Sequence, residues 1–112
     1  MATYDKAHEL ARALKESEEY REYQEAKRSV QGNEDALSIL RDYQRRRLEY
    51  EMEVLAGKDA DQSKKAALDK ITAIVEMHGP VKRFLEAERR IMLMMSDIQK
   101  ILTDSLDLLD YS

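Results

Sequence analysis

Apolar residues recur at helical spacing along almost the whole chain, and very few residues interrupt this pattern. Only three glycines and one proline occur among the 112 residues, of which 38% are charged. A charge-rich chain that is poor in glycine and proline and keeps a period near 3.6 residues is typical of long helices. The pattern predicts an all-α protein, with four to five helices in an antiparallel helical bundle, as a single helical domain over residues 1–112.

The three glycines predict where helices end, because glycine readily adopts the positive φ that closes a helix. Gly32, Gly57 and Gly79 each follow a helical pattern, and Pro80 suits the first turn of the last helix. Gly79 is predicted to separate helices four and five, and Gly79→Val is expected to cost stability if the φ of Gly79 is positive. The first predicted helix spans about residues 3–15, and the second runs from Ser17 to the region before Gly32. The third, fourth and fifth span about 34–56, about 64–78 and 80–109, and residues 58–63 form the main loop.

Two side chains predict the starts of helices. Ser17 is a candidate N-cap followed by Glu18 and Glu19, whose charges favour the positive end of a helix dipole. Asn33 is a candidate N-cap for the third helix. Because nothing between residues 15 and 17 forces a break, a continuous first and second helix is the alternative.

Helices three and five carry more apolar surface than one short chain covers. The apolar residues of helix three occupy roughly 220° of its circumference, well beyond a single stripe. Helix five, if continuous to Leu109, has about 30 residues and a length of ~45 Å. An apolar surface of this extent requires a partner, which predicts a homodimer. The predicted interface residues are Leu40, Tyr43, Tyr50, Val54, Ile91, Met92, Met94, Met95 and Ile98.

Composition excludes several classes of protein. The chain has no cysteine, which excludes disulfides, thiolate metal sites and cysteine nucleophiles. Its net charge of −4 argues against direct nucleic-acid binding, which requires a basic face. The longest apolar run, Ile91–Met95, is far shorter than the ~20 residues of a membrane helix. With a polar N-terminus and no signal-peptide pattern, the protein is expected to be soluble and cytoplasmic.

Few residues are candidates for chemistry. His8 and His78 lack the spacing of a helical zinc motif, and His78 is placed in the last turn of helix four. The 23 carboxylates fall mainly on the polar faces of the helices, and Glu88 is an exception on the apolar stripe of helix five. A carboxylate-bridged metal bundle needs several acids that project inward, and one is not enough. We therefore expect no metal, no cofactor and no catalytic residue.

The sharpest charge cluster is Arg45-Arg46-Arg47, with smaller ones at Lys82-Arg83 and Arg89-Arg90. These residues are either contacts for RNA or an acidic partner, or a solvated helix face with the stem of Arg47 along the core edge. No aromatic and glycine motif of a nucleic-acid-binding protein accompanies them, so the solvated face is the favoured interpretation. Mutation of the triplet to Ser is then expected to leave the fold and the oligomer intact.

Two stretches resemble the YlbF/YmcA family of small bacterial helical proteins. Residues 7–27 read AHELARALKESEEYREYQEAK and are similar to the opening of that family, and residues 79–88 read GPVKRFLEAE and resemble its second block. The resemblance implies an all-helical, dimer-forming protein of the bacterial cytoplasm. Its best-known members act with ribonuclease Y-associated machinery in competence, sporulation and biofilm formation. Those members carry cysteines associated with iron–sulfur clusters, whereas this chain is more similar to cysteine-free members.

The sequence therefore favours a non-enzymatic interaction protein, a homodimeric adaptor that modulates a larger partner. The first alternative is a carboxylate-rich, metal-binding helical enzyme, which metal analysis of the purified protein would detect. The second is a small chaperone-like clamp with exposed apolar grooves, which suppression of the aggregation of an unrelated client would reveal.

Overall fold

A computed structural model describes residues 1–57 and 62–107 of the chain. These residues are about 90% helical, and no strand occurs among them. The five helices are α1 (Ala2–Lys15), α2 (Glu18–Gln31), α3 (Glu34–Leu55), α4 (Gln62–Met77) and α5 (Gly79–Ser105). The all-α prediction is confirmed. Residues 58–61 of the predicted loop, and the predicted end of helix five at Leu109, lie outside the described residues.

Side-chain caps explain where α2 and α3 begin. The Ser17 hydroxyl accepts a hydrogen bond from the Tyr20 N–H at 3.2 Å and donates one to the Leu14 carbonyl at 2.6 Å. Asn33 has an extended backbone, and its Oδ1 accepts from the Ala36 N–H at 3.1 Å. Both predicted N-caps are confirmed, since each satisfies an amide that has no partner within its helix. The alternative of one continuous helix through Ser17 is wrong.

The break between α4 and α5 falls at His78, one residue earlier than the sequence predicted. His78 lies outside α4, and its Nδ1 accepts a hydrogen bond from the Val81 N–H at 3.4 Å. Its carbonyl accepts from the Lys82 N–H at 2.9 Å, which is the first backbone bond of α5. The placement of His78 in the last turn of helix four is therefore wrong, because the residue caps the next helix instead.

The predicted break itself is confirmed, but Gly79 is the first residue of α5. Gly57 is the only described glycine with a positive φ, at 74°. The condition of a positive φ at Gly79, on which the expected cost of Gly79→Val depends, is therefore not met. A residue before proline is disfavoured in the helical region partly through its Cβ, so glycine at this position relieves a clash with Pro80. Helix four also begins at Gln62, two residues earlier than predicted.

We expect Gly57→Ala to destabilise the protein by about 1–2 kcal/mol, because a residue with a Cβ is strained at this φ. An added Cβ meets no atom within 4 Å, so the effect isolates backbone strain from steric overlap. Gly32→Ala is the matched control, because Gly32 has no positive φ and its added Cβ would lie 3.4 Å from the nearest carbonyl oxygen. Urea denaturation of both variants measures the difference, and equal midpoints would contradict the assignment.

The described residues fall into two compact units. The first comprises Met1–Gln24 and the described residues from Glu86 onward, and the second comprises Glu25–Leu85. Helices α2 and α5 contribute to both units, so the single domain over residues 1–112 stays a prediction.

The second unit contains most of the buried core. Helices α3 and α4 form an antiparallel pair, in which Lys64 near the start of α4 lies 3.0 Å from the carboxylate of Glu53 near the end of α3. In the same unit, the guanidinium of Arg83 on α5 pairs with Glu25 on α2 at 3.3 Å. The core residues are small or aliphatic apart from one aromatic ring: Ala26, Val30, Ala36, Leu40, Ile71, Val75, Val81 and Phe84.

Candidate interaction surfaces

The first unit has an apolar groove between α1 and the C-terminal half of α5. Its volume is about 420 Å³, and the walls are Leu10 and Leu14 on one side and, on the other, three apolar residues of α5 and one directly after its end. Gln99 and Thr103 are its polar members. The apolar residues on the α5 side follow one another at intervals of three or four, which keeps the helical ones on one face; they are Met95, Ile98 and Leu102 of α5 and Leu106 after it.

Helix α5 also exposes apolar side chains beyond this groove. Met92 is 62% exposed and Ile101 is 64% exposed. Of the predicted interface residues on α5, Met92 and Met95 are exposed, whereas Ile91, Met94 and Ile98 are half-buried. All five therefore retain surface that a second molecule can cover. The predicted interface did not include Leu10, Leu102 or Leu106, although their helical spacing placed them on the apolar stripes of their helices.

The predicted interface residues on α3 differ more in their surroundings. Leu40 is only 7% exposed and belongs to the core of the second unit, so it has little surface to offer a partner. Tyr43 and Tyr50 are half-buried, and Val54 is 51% exposed. The C-terminal half of α3 additionally exposes Leu48, Met52 and Leu55. The apolar surface of this helix lies mainly after residue 43.

A second groove, of about 890 Å³, runs along α3 beside α4. Three arginines and two carboxylates line it together with apolar side chains that include Ile39, Ile71 and Ile74. Asp42 holds two of the arginines, because its Oδ1 lies 2.7 Å from Arg45 and 3.2 Å from Arg46. The third arginine is Arg41, which forms no ion pair among the described residues.

The arginine triplet is divided between two surroundings. Arg45 and Arg46 line the groove, whereas Arg47 lies over the Tyr43 ring at 5.8 Å from its centroid and 3.5 Å from the Glu51 carboxylate. A guanidinium at this distance from an aromatic face makes a modest cation–π contact. The two contacts place the guanidinium of Arg47 beside a half-buried ring, and the predicted path of its stem along the core edge stays a prediction.

We expect the triple variant Arg45→Ser, Arg46→Ser, Arg47→Ser to remain folded and to keep the oligomeric state of the native chain. Its ion pairs lie within α3 on the surface, where each contributes about 0–1 kcal/mol. Circular dichroism and sedimentation at one concentration measure both properties. Dissociation of the variant would mean that the triplet belongs to the subunit interface.

Two further basic residues have partners that the sequence did not reveal. Arg83 pairs with Glu25, as described above, and Arg90 pairs with Glu22 at 2.9 Å within the first unit. Both pairs join α2 to α5 between residues more than 50 positions apart. Long-range pairs of this kind cannot be read from local spacing, although the charges themselves were visible.

The candidate metal residues do not converge. His8 is exposed on α1 and Glu88 is half-buried on α5. Within residues 1–57 and 62–107, no three His, Asp or Glu side chains lie close enough together to hold a metal ion. Over the same ranges, no helix has the length and apolar character needed to cross a bilayer.

Comparison with known proteins supports the all-helical fold and the family resemblance that the sequence showed. The chain is 36% identical to a UPF0342 protein of Symbiobacterium thermophilum over 104 residues, which cover 93% of each protein. It is 34% identical to a UPF0342 protein of Halothermothrix orenii, over 96% of this chain and 92% of that protein.

A solved structure has the same fold. A protein of unknown function (DUF964) from Bacillus stearothermophilus superposes with a TM-score of 0.81 at 17% identity, over 96% of this chain and 94% of that chain. Residues 3–107 match the family described as control of competence regulator ComK, YlbF/YmcA. The resemblance seen in the sequence is thereby confirmed, and the chain belongs to the YlbF/YmcA family.

Proposed function

We propose that this protein is a non-enzymatic, homodimeric helical adaptor that regulates a larger protein partner. The observation that carries the proposal is the apolar surface of α5, where Met92 and Met95 lie exposed in the single chain. Removal of such side chains from water favours association by about 25 cal/mol per Å² of apolar area. A surface of this kind serves binding and supplies no reactive group.

The family supports a regulatory role, because its description refers to control of the competence regulator ComK. The relatives named above carry no enzyme name. Ribonuclease Y-associated machinery, which the resemblance implies as a partner, is the first partner to test by co-purification. The proposed site for self-association comprises the exposed or half-buried residues of the predicted set, without the buried Leu40.

Light scattering on the purified chain at micromolar concentration tests the dimer. The expected mass is twice the 13.1 kDa of one chain. A mass of 13.1 kDa across the micromolar range would contradict the proposal. Metal analysis of the same sample tests the alternative of a carboxylate-rich metal enzyme, for which bound iron or manganese at a stoichiometric level is the expected result.

The groove between α1 and α5 favours one second candidate, a chaperone-like clamp. It is open and mostly apolar, so an unfolded client could place an aliphatic side chain between Leu14 and Leu102. Suppression of the thermal aggregation of citrate synthase by stoichiometric protein would support the clamp. If aggregation proceeds unchanged, the adaptor remains the better account.

A further inference from the structure

The groove along α3 and α4 lies outside the proposed dimer interface and has three features of a binding surface. It is open, its wall includes the apolar residues Ile71 and Ile74 of α4, and its arginines come from α3. The predicted self-association residues of α3 are other side chains, from Tyr43 to Val54. The groove therefore presents a surface of its own within the second unit.

The charge of this groove is opposite in sign to that of the whole chain. The chain has a net charge of −4, but three arginines line the groove against the two carboxylates of Glu34 and Asp42. Asp42 is already bound by Arg45 and Arg46, and Glu34 lies in the first turn of α3, where the helix dipole favours its charge. Arg41 remains available to bind an external carboxylate.

One further cation extends this positive surface. Lys70 lies one turn before Ile74 on α4, is exposed, and forms no ion pair within the described parts of the chain. Residues four apart on a helix lie on the same side, so Lys70 borders the wall that Ile74 forms. Cations from both helices therefore flank apolar residues.

The dimensions of the groove fit a helix. Its α3 wall extends from Glu34 to Arg46, which corresponds to about 18 Å or roughly three helical turns. A groove along a pair of antiparallel helices accepts the side-chain ridge of a third helix, whose anchors recur at i, i+3 or i+4, and i+7. Aliphatic anchors would contact Ile39 of α3 and Ile74 of α4, and acidic residues beside them would meet the cations.

We propose that this groove binds an amphipathic helix of a protein partner that carries acidic residues beside its apolar stripe. The inference rests on the proposed adaptor function and specifies the chemistry of the partner. A protein helix fits better than RNA, because the wall is aliphatic and, among the described residues, no aromatic ring lines the groove for base stacking. Arg41, Arg45 and Lys70 select the acidic residues, and the accessible apolar residues Ile39 and Ile74 receive the apolar anchors.

A display library of helical peptides tests the proposal with the full-length protein. Each peptide has three to four turns, leucine at the anchor positions, and Glu, Gln or Lys varied at the flanking positions. Selection of peptides that bind the native chain is expected to enrich Glu at the flanking positions. The best peptide, labelled with fluorescein, is expected to bind the double variant Arg41→Glu, Arg45→Glu at least about tenfold more weakly, which corresponds to about 1.4 kcal/mol.

The matched control is Lys27→Glu, Arg28→Glu on α2, which changes the net charge equally at two exposed positions outside the groove. It is expected to bind the peptide as the native chain does, whereas Ile74→Asp is expected to abolish binding. Repeating the selection on Arg41→Glu, Arg45→Glu is expected to enrich Lys at the flanks. Circular dichroism confirms that each variant is folded.

Three kinds of result would overturn the proposal. The first is a loss of charge selectivity, seen either as selection without preference for Glu or as equal binding to the groove variant and the α2 control. The second is binding of a fluorescein-labelled oligouridine that is lost with the groove variant, since the surface would then bind nucleic acid. The third is dissociation of the dimer in the groove variant, since the groove would then be the subunit interface. Failure of the adaptor proposal is distinguishable, because it appears as a monomeric mass of the native chain.

Discussion

Met92→Asp is expected to convert the dimer to a monomer while leaving its helices formed. The side chain of Met92 is 62% exposed in the single chain, so a carboxylate at this position remains hydrated in the monomer. In a symmetric dimer the substitution acts on both subunits. Since burial of one such side chain is worth about 1.5–3 kcal/mol, the dissociation constant is expected to rise by about 100-fold or more. Sedimentation and circular dichroism at one concentration measure both effects.

Ser29→Asp is the matched control for this variant. Ser29 is exposed on α2 and outside the predicted interface, and its replacement introduces the same carboxylate with the same change in net charge. It is expected to remain dimeric. Met95→Asp is expected to dissociate as well, whereas Met94→Asp, at a half-buried position, is expected also to destabilise its own subunit. If the methionine variants stay dimeric while the arginine triplet variant dissociates, the interface lies on α3.

The helical architecture could be predicted because its signals are local. Ser17 and Asn33 each carry an oxygen that bonds an amide three residues later, so their types and positions were sufficient. The break before Pro80 was also visible. The conformation at that break was not, because the sequence favoured a glycine with positive φ while His78 in fact caps α5. Histidine is an uncommon cap, and its role depends on the direction of its ring.

The candidate surfaces were only partly predictable, because a helical period identifies apolar faces without showing which neighbour covers them. Leu40 and Val54 both belong to the apolar circumference of α3, yet the core of the second unit covers Leu40 and leaves Val54 half exposed. Arg90 illustrates the same limit for charge, since its partner Glu22 lies on another helix. Local patterns therefore predicted the composition of the surfaces, and the tertiary structure decided which residues remain on them.

Phe84→Ala is expected to lower the free energy of unfolding by about 3–5 kcal/mol. Within residues 1–57 and 62–107, Phe84 is the only aromatic residue among the buried core side chains, with 6% exposure, and it lies on α5 one turn after the fully buried Val81. Removal of the ring loses the free energy gained by burying it. It also leaves a cavity that the surrounding side chains fill only in part, which adds to the cost. A loss of this size is a large fraction of the ~5–15 kcal/mol that stabilises a typical domain.

Urea denaturation at one fixed protein concentration measures this loss, since the stability of a dimer depends on concentration. Met77→Ala is the control, because Met77 is almost fully exposed at the end of α4, and its removal is expected to change stability by no more than about 0.5 kcal/mol. Phe84→Leu keeps most of the volume and is expected to fall between the two. If Phe84→Ala and Met77→Ala unfold at the same urea concentration, the buried cluster around Phe84 is not what stabilises the second unit.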